Sequence, residues 1–386
     1  MKNKNIILVY SPPWDQPAQL SKHQFTQLWS VDNRVLYIES PINTASFFTR
    51  FKEAIKLWRR FKKGVQKIDN NLWISTFFYL LPFRGSKYFL GAEWVNSLNQ
   101  YFVRKKLKKQ LDDLKFNNPI LIIGSAHILP IIDIFNAERI IYHCSDDYSL
   151  VPSFPQSFQN IEKKLINICD LVVTTADELK KAKIKYNTNT IAIPNGVDIK
   201  HFKKTQNIKT EIHNDLKLFS KPIIGYIGTI FRWINQDWVE YAAIENKSYN
   251  FIFIGPITTN IFKLQKMNNI HFLGPKPYSQ LPSLLKAFSV ATIPFVIDGV
   301  TLKASPIKFY EYLASGIPIV STDLPDLKDF SKTASLVINK EEFSSSLRNA
   351  IKNDNKKLKE YRMKLAENYS WNHRFLQLNE NILRTL

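Results

Sequence analysis

Apolar runs of strand length recur between helical stretches from one end of the chain to the other. In the first half they are Ile6-Tyr10, Arg34-Ile38, Leu72-Ser75, Ile120-Gly124, Arg139-Cys144, Leu171-Thr174 and Thr190-Ile193. In the second they are Ile223-Ile227, Phe251-Ile254, Ile270-Leu273, Val290-Ile293, Ile317-Ser321 and Leu336-Ile338. Strands that are apolar throughout, rather than alternating, are what a parallel sheet covered on both faces by crossover helices requires. The pattern predicts an α/β protein.

The rhythm breaks once. Pro194-Asn-Gly-Val-Asp198 has turn chemistry and leads into a polar, Lys-rich stretch of weak apolar periodicity that ends at Ser220. The break predicts an N-terminal domain over 1–194, a linker over 195–220 and a C-terminal domain over 221–368. A final helix over 369–386 is expected to cross back to the first domain. At 386 residues the chain also exceeds what one core usually organises. Each half is expected to be doubly wound, with a ligand cleft where the carboxyl ends of the two sheets face each other.

Composition narrows the class. With 45% hydrophobic and 22% charged residues the chain is globular rather than disordered. Its cysteines, Cys144 and Cys169, have neither redox-pair nor zinc-knuckle spacing, which suits a reducing compartment. The stretch Ile6 to Tyr10 is too short for a signal sequence and is expected to be a first strand. No apolar run reaches the roughly 18 residues of a spanning helix. The candidate Thr76 to Phe83 is broken by Pro82 and followed by Arg84 and Lys87. A cytoplasmic protein is expected.

The net charge of +20 asks for an anionic partner. A nucleic-acid-binding protein is one reading, given 27 Phe, 16 Tyr and 8 Trp, but no zinc-finger spacing or RNP-like motif supports it. The basic residues instead gather in two stretches of the first half. Phe47 to Lys67 carries Arg50, Lys52, Lys56, Arg59, Arg60, Lys62, Lys63 and Lys67 against a single acid, Glu53, with apolar residues at three- and four-residue steps. Tyr101 to Lys109 adds Arg104, Lys105, Lys106, Lys108 and Lys109. A basic amphipathic helix is expected in the first stretch, with Arg59, Arg60, Lys62 and Lys63 as candidate contacts to an acceptor or an anionic membrane surface.

The second half carries the densest chemical signal. Gly225-Tyr-Ile-Gly-Thr-Ile-Phe-Arg232, Phe253-Ile-Gly-Pro256 and Ile270-His-Phe-Leu-Gly-Pro275 are strands that close on glycine turns, the last followed by an expected helix from Ser279 or Gln280 to Phe288. Glycine there lets backbone N–H groups approach a phosphate, and Arg232 adds a fork of donors. The segment Ala304 to Thr322 is the strongest: Ser305 is expected to cap a helix, Pro306 to occupy its first position, and Gly316 with Pro318 to stop it. That helix start is an anion site. Lys308 and Glu311, three apart, share one face, where they could serve a diphosphate and a ribose; a surface ion pair is the plainer alternative.

These motifs, in this order, together with Tyr278, Leu281-Pro282, Thr292-Ile-Pro-Phe295 and, upstream, Ile141-Tyr-His-Cys-Ser-Asp-Asp147 and Pro194-Asn-Gly-Val-Asp198, resemble the retaining GT-B glycosyltransferases. The likeness is greatest to glycosyltransferase family 4 and its bacterial cell-surface polysaccharide members, including the teichuronic-acid type. It implies two Rossmann-like domains about a cleft and transfer, with retention, from a nucleotide-diphosphate sugar to a glycan or lipid-linked acceptor. It implies a donor site formed by Gly228, Thr229, Arg232, Gly255, Gly274, Pro275, Lys303, Ser305, Pro306, Ile307, Lys308 and Glu311, with Glu311 on the ribose. The family usually has a second glutamate eight residues before the ribose-binding one; here Lys303 stands there, available to the phosphates.

In the first half Asp146 and Asp147 follow a strand and are candidates to orient the acceptor hydroxyl, Asp146 foremost. Asp147 suits a turn cap equally well, and His143, inside the strand, suits the core. The chain contains no Asp-x-Asp pair, so neither metal nor other cofactor is expected, with cations and helix N–H groups stabilising the leaving diphosphate. A GT-B sugar-nucleotide epimerase is the alternative enzyme. The basic, aromatic insert argues for an acceptor surface instead, and for an enzyme held at the inner face of the membrane.

Overall fold

The structure, a computed structural model, describes residues 1–16, 19–49, 51–81, 93–147, 149 and 156–385. The readings that involve Arg50, Pro82, Phe83, Arg84 and Lys87 lie outside the described residues. The chain divides into two compact units, one formed by Met1–Gln16, Leu20–Ile193 and the residues from Phe375 onward, the other chiefly by Pro194–Arg374.

The first unit contains β1 (Asn5–Ser11), β2 (Arg34–Glu39), β3 (Ile42–Asn43), β4 (Gln66–Asp69), β5 (Leu72–Ser75), β6 (Phe78–Tyr79), β7 (Ile120–Ile123), β8 (Arg139–Cys144), β9 (Leu171–Thr174) and β10 (Thr190–Ala192). Eight of these form one sheet in the order β10-β9-β8-β7-β1-β2-β5-β4, parallel except for β4 against β5. Leu8 pairs with Tyr37 on one side and Ile122 on the other, which places β1 between β2 and β7. Ile7, Val9, Leu36, Ile38, Leu121 and Ile123 enter one core cluster, while the intervening Ile6, Leu8, Val35 and Ile120 are buried as well. Burial on both faces is why these strands read as unbroken apolar runs.

The second unit contains β11 (Ile223–Ile227), β12 (Asn250–Ile254), β13 (Ile270–Phe272), β14 (Val290–Ile293), β15 (Ile319–Thr322) and β16 (Ala334–Val337). They form a wholly parallel sheet ordered β13-β12-β11-β14-β15-β16. Among the parallel strands each sheet has a point where the order reverses, between β1 and β7 in the first and between β11 and β14 in the second. Crossover helices leave opposite faces at such a point and open a crevice beyond the strand ends.

Each expected strand is present, with ends shifted by a residue or two. The short β3 and β6 and the edge strand β4, whose Lys67, Ile68 and Asp69 are exposed, lacked a buried apolar run and were not expected. The expected helix from Ser279 or Gln280 to Phe288 is a 3-10 turn, Tyr278–Gln280, followed by a short helix, Leu281–Leu285.

The stretch 195–220 is not a linker. Val197, Phe202 and Leu216 are buried in the core of the second unit, Asp198 caps the helix Ile199–Lys203 by accepting from the His201 N–H, and Trp371 N–H donates to Val197 O at 3.2 Å. Val197 precedes a short helix, Phe202 lies on it and Leu216 ends a 3-10 turn, so these core residues share no common period. The last helix, Trp371–Leu383, leaves the second unit at Arg374; beyond it Phe375 packs on Trp29 with ring centroids 5.7 Å apart, and Trp29 Nε1 donates to Asn379 Oδ1 at 2.8 Å.

Candidate functional site

In the second unit the ends of β11, β12 and β13 converge by close backbone approach. Gly228 N–H donates to Ile254 O at 2.8 Å, and Gly255 N–H donates to Gly274 O at 2.9 Å. Gly255 has φ +147°, and a Cβ placed on it would lie 2.0 Å from Gly228 O, so only glycine fits. A Cβ on Gly228 would lie 2.9 Å from Lys308 Cε, which shows that the Lys308 side chain runs against this turn.

Lys308 belongs to the helix Ile307–Ser315, whose first-turn N–H groups lack acceptors within the helix and carry its positive dipole end. Gly316, at φ +71°, closes the helix in the left-handed conformation. Ser305 does not cap it: Pro306 is the cap residue, and Ser305 Oγ instead accepts from Asn195 N–H at 3.4 Å while Ser305 O accepts from Asn195 Nδ2 at 2.7 Å. The expected cap was one residue out of register. Asn195, outside the expected set, thus fastens the loop that leads into this helix.

Glu311 is 5% exposed and its pKa is raised by burial, with Lys308 opposing the shift. Its carboxylate comes to 3.8 Å from Lys308 Nζ. Tyr278 feels the Glu311 charge, and its ring stacks on His201 at 4.3 Å between centroids, with His201 Nε2 donating to Tyr278 O at 2.9 Å. Gly228, Gly255, Gly274, Lys308 and Glu311 therefore belong to one region at the strand ends. Thr229 follows in the same turn, its carbonyl accepting from Tyr226 Oη at 3.1 Å. Arg232 is exposed, with its guanidinium over the Phe231 ring; Lys303 is half-buried at the end of the 3-10 turn Thr301–Lys303; Pro275 is exposed beside Gly274, and Ile307 is half-buried.

In the first unit Asp146 has a solvent-exposed edge, yet the protein atoms crowding its carboxyl raise its pKa, opposed by Lys22. Asp147 is a turn residue: its Oδ1 accepts from the N–H of Ser149 at 3.2 Å and from its hydroxyl at 2.5 Å. His143 is buried against Phe25, and desolvation pushes its pKa down to about 3, so it is a neutral core histidine at neutral pH. Among the described residues no group of three or more His, Cys, Asp or Glu side chains is placed to hold a metal.

The basic helix forms, over Phe51–Lys63, but its cations separate into two sets. Arg60 turns inward, only 13% of its side chain exposed, onto Glu39 and onto Asp15, the latter at 2.6 Å. Glu39, fully buried, also accepts from Trp14 N–H at 2.8 Å and from the Thr76 hydroxyl. Arg60 is thus an internal anchor and not a surface contact. Arg59, Lys62 and Lys63 remain exposed. Much of the apolar face is packed: Ala54 and Leu57 are buried, and Trp58 meets Phe47, Phe61 and Phe78. Phe48 and Phe51 stay exposed, at 91% and 62%.

Two Rossmann-like sheets of this topology define the GT-B fold. A solved sucrose-phosphate synthase from Thermosynechococcus elongatus superposes with a TM-score of 0.71 over 99% of each chain at 13% identity. Anabaena Alr3699/HepE, solved with UDP and glucose, superposes with a TM-score of 0.66 over 98% of this chain and 99% of that one at 15% identity. Residues 221–353 match the family described as Glycosyl transferases group 1. A curated Bacillus subtilis (strain 168) protein, TuaH, named for a glycosyltransferase role in teichuronic acid biosynthesis, is 24% identical over 256 residues, or 60% of this chain; the match spans 63% of that protein's length.

Proposed function

We propose that the protein is a glycosyltransferase whose second unit holds a nucleotide-diphosphate sugar and whose first unit receives a glycan or lipid-linked acceptor. The observation that carries this reading is Glu311. A nearly buried carboxylate, with Lys308 beside it and three glycine-ended strands next to it, is a costly arrangement for the apo fold unless a ligand completes it. A ribose supplies two hydroxyl donors to the carboxylate, and a diphosphate supplies charge to Lys308 and to the first turn of Ile307–Ser315. The family match over 221–353 falls on these elements, and the UDP complex of Alr3699/HepE makes a UDP-sugar the first donor to test. TuaH is named as a glycosyltransferase and the Thermosynechococcus elongatus protein as a synthase, so the epimerase alternative gains no support.

Chemically, departure of the diphosphate places growing negative charge where Lys308, the helix start and, at the rim, Arg232 and Lys303 supply positive potential. Asp146 is the candidate to orient the acceptor hydroxyl. Retention of configuration, a place in bacterial surface-polysaccharide synthesis and attachment to the inner membrane face belong to this same reading. The last is supported by Arg59, Lys62 and Lys63 beside exposed Phe48 and Phe51. Among the described residues no helix is long and apolar enough to cross a membrane.

Because the positive potential comes from side chains and backbone, turnover is expected to be independent of divalent metal. Release of nucleoside diphosphate from the sugar nucleotide, measured directly by chromatography, should proceed at an unchanged rate in excess EDTA. Complete loss restored by Mn²⁺ or Mg²⁺ would refute the metal-free reading.

A further inference from the structure

The first unit contains a cavity of about 320 Å³ where β1 and β7 end, at the order reversal of the eight-stranded sheet. Tyr10, Lys22, Glu53, Tyr79, Ser125 and His127 contribute to its walls. Tyr10 holds φ +55°, a conformation that a bulky residue adopts only when its surroundings enforce it, and such strain gathers at functional sites. Here the enforcement is a buried network. Tyr10 Oη donates to Gln100 Oε1 at 2.8 Å, Gln100 Nε2 donates to His127 O at 2.6 Å, and Ser125 Oγ lies 2.7 Å from His127 Nδ1.

Lys22 stands apart from that network. It is 7% exposed, yet among the described residues its ammonium has neither a hydrogen bond nor an ion pair. Nζ lies against Gly124, where a Cβ would come within 2.9 Å of it. Asp146 favours the charge through space without closing on it, and desolvation brings the amine's pKa down to about 8, which leaves it mostly protonated at neutral pH. Facing the cavity without a protein partner, the ammonium is poorly compensated, and apolar replacement of such a group is commonly stabilising. An ammonium kept at a cavity wall under that penalty is one that a ligand neutralises.

We propose that this cavity seats the terminal sugar of the acceptor and that Lys22 binds an anionic group carried by that sugar, a phosphate or a carboxylate. The acceptor is then an acidic glycan unit, one hexose filling a volume at the lower end of the range for ligand pockets. This rests on the transfer reading above, but its test is separate.

The unaltered full chain is melted with glucose 6-phosphate, glucuronate or glucose at matched ionic strength, and in parallel with UDP. At least one acidic hexose should raise the melting temperature while glucose does not; which of the two responds identifies the anion. Lys22→Met should weaken that response about tenfold or more, raise the melting temperature of the unliganded chain, and keep the UDP response. Equal responses to glucose and both acidic hexoses, or an acidic-hexose response that survives Lys22→Met, overturns the proposal. The comparison of sugars on the unaltered chain decides the matter should the variant misfold. A chain that answers to an acidic hexose and not to UDP supports this site and sinks the donor assignment, so the two failures are distinguishable.

Discussion

Glu311→Ala should weaken binding of the nucleotide sugar by about 1.5 to 3 kcal/mol, a loss of roughly tenfold to more than a hundredfold in affinity. The expectation follows from what surrounds the carboxylate. It is 5% exposed, burial already disfavours its charge, and the cation beside it stands at 3.8 Å rather than in close contact. The charged form is therefore poorly compensated by the protein alone and has most to gain from ligand hydroxyls. For the same reason its removal should not lower the melting temperature of the unliganded chain. Calorimetric titration together with a melting curve separates the two effects, and an unchanged affinity in a normally folded variant would show that Glu311 does not touch the donor.

Arg60→Met should cost about 3 to 5 kcal/mol of stability at neutral pH, because it strands the Glu39 carboxylate in the interior. The loss should shrink as the pH is lowered. Burial raises the Glu39 pKa in the folded state, so its unfavourable ionisation is absent below the unfolded pKa and sets in as the pH rises through the folded one. Removing Arg60, which opposes that shift, widens the window. Denaturant titrations at pH 4.5 and 7.5 measure the difference. Joint replacement of Arg59, Lys62 and Lys63 by Gln should instead leave stability within about 0.5 kcal/mol while reducing salt-sensitive binding to anionic vesicles. Equal supernatant recovery with anionic and neutral vesicles at low salt would remove the membrane proposal and leave the Arg60 result standing.

The contrast between Arg60 and its neighbours shows where the sequence stops being informative. Strands such as β7 and β14 are legible because burial on both faces makes them apolar end to end, and that signal is local. The turn glycines and the stop at Gly316 are legible for the same reason, since φ and cap chemistry are settled within a few residues. Arg60 is one cation in a periodic basic helix, and only the tertiary fold brings it to Glu39, 21 positions away. Lys22 is a lone lysine in the helix Ser21–Ser30, without a motif; its meaning comes from Gly124, Ser125 and His127 at the end of another strand. The stretch 195–220 misleads in the opposite sense. Its polar composition reads as linker, whereas Val197, Phe202 and Leu216 place it in the core.

The central claim is that the second unit is built around a nucleoside diphosphate attached to a sugar. It is tested most directly by melting the full chain with UDP-, GDP- and ADP-sugars and with the matching nucleoside monophosphates, since a ligand that binds only the native state raises its melting temperature. The account predicts that at least one diphosphate sugar stabilises the protein strongly and that its monophosphate, which lacks the group facing Lys308 and the start of Ile307–Ser315, does so far less. Equal stabilisation by monophosphate and diphosphate sugar, or no response to any of them, would contradict it.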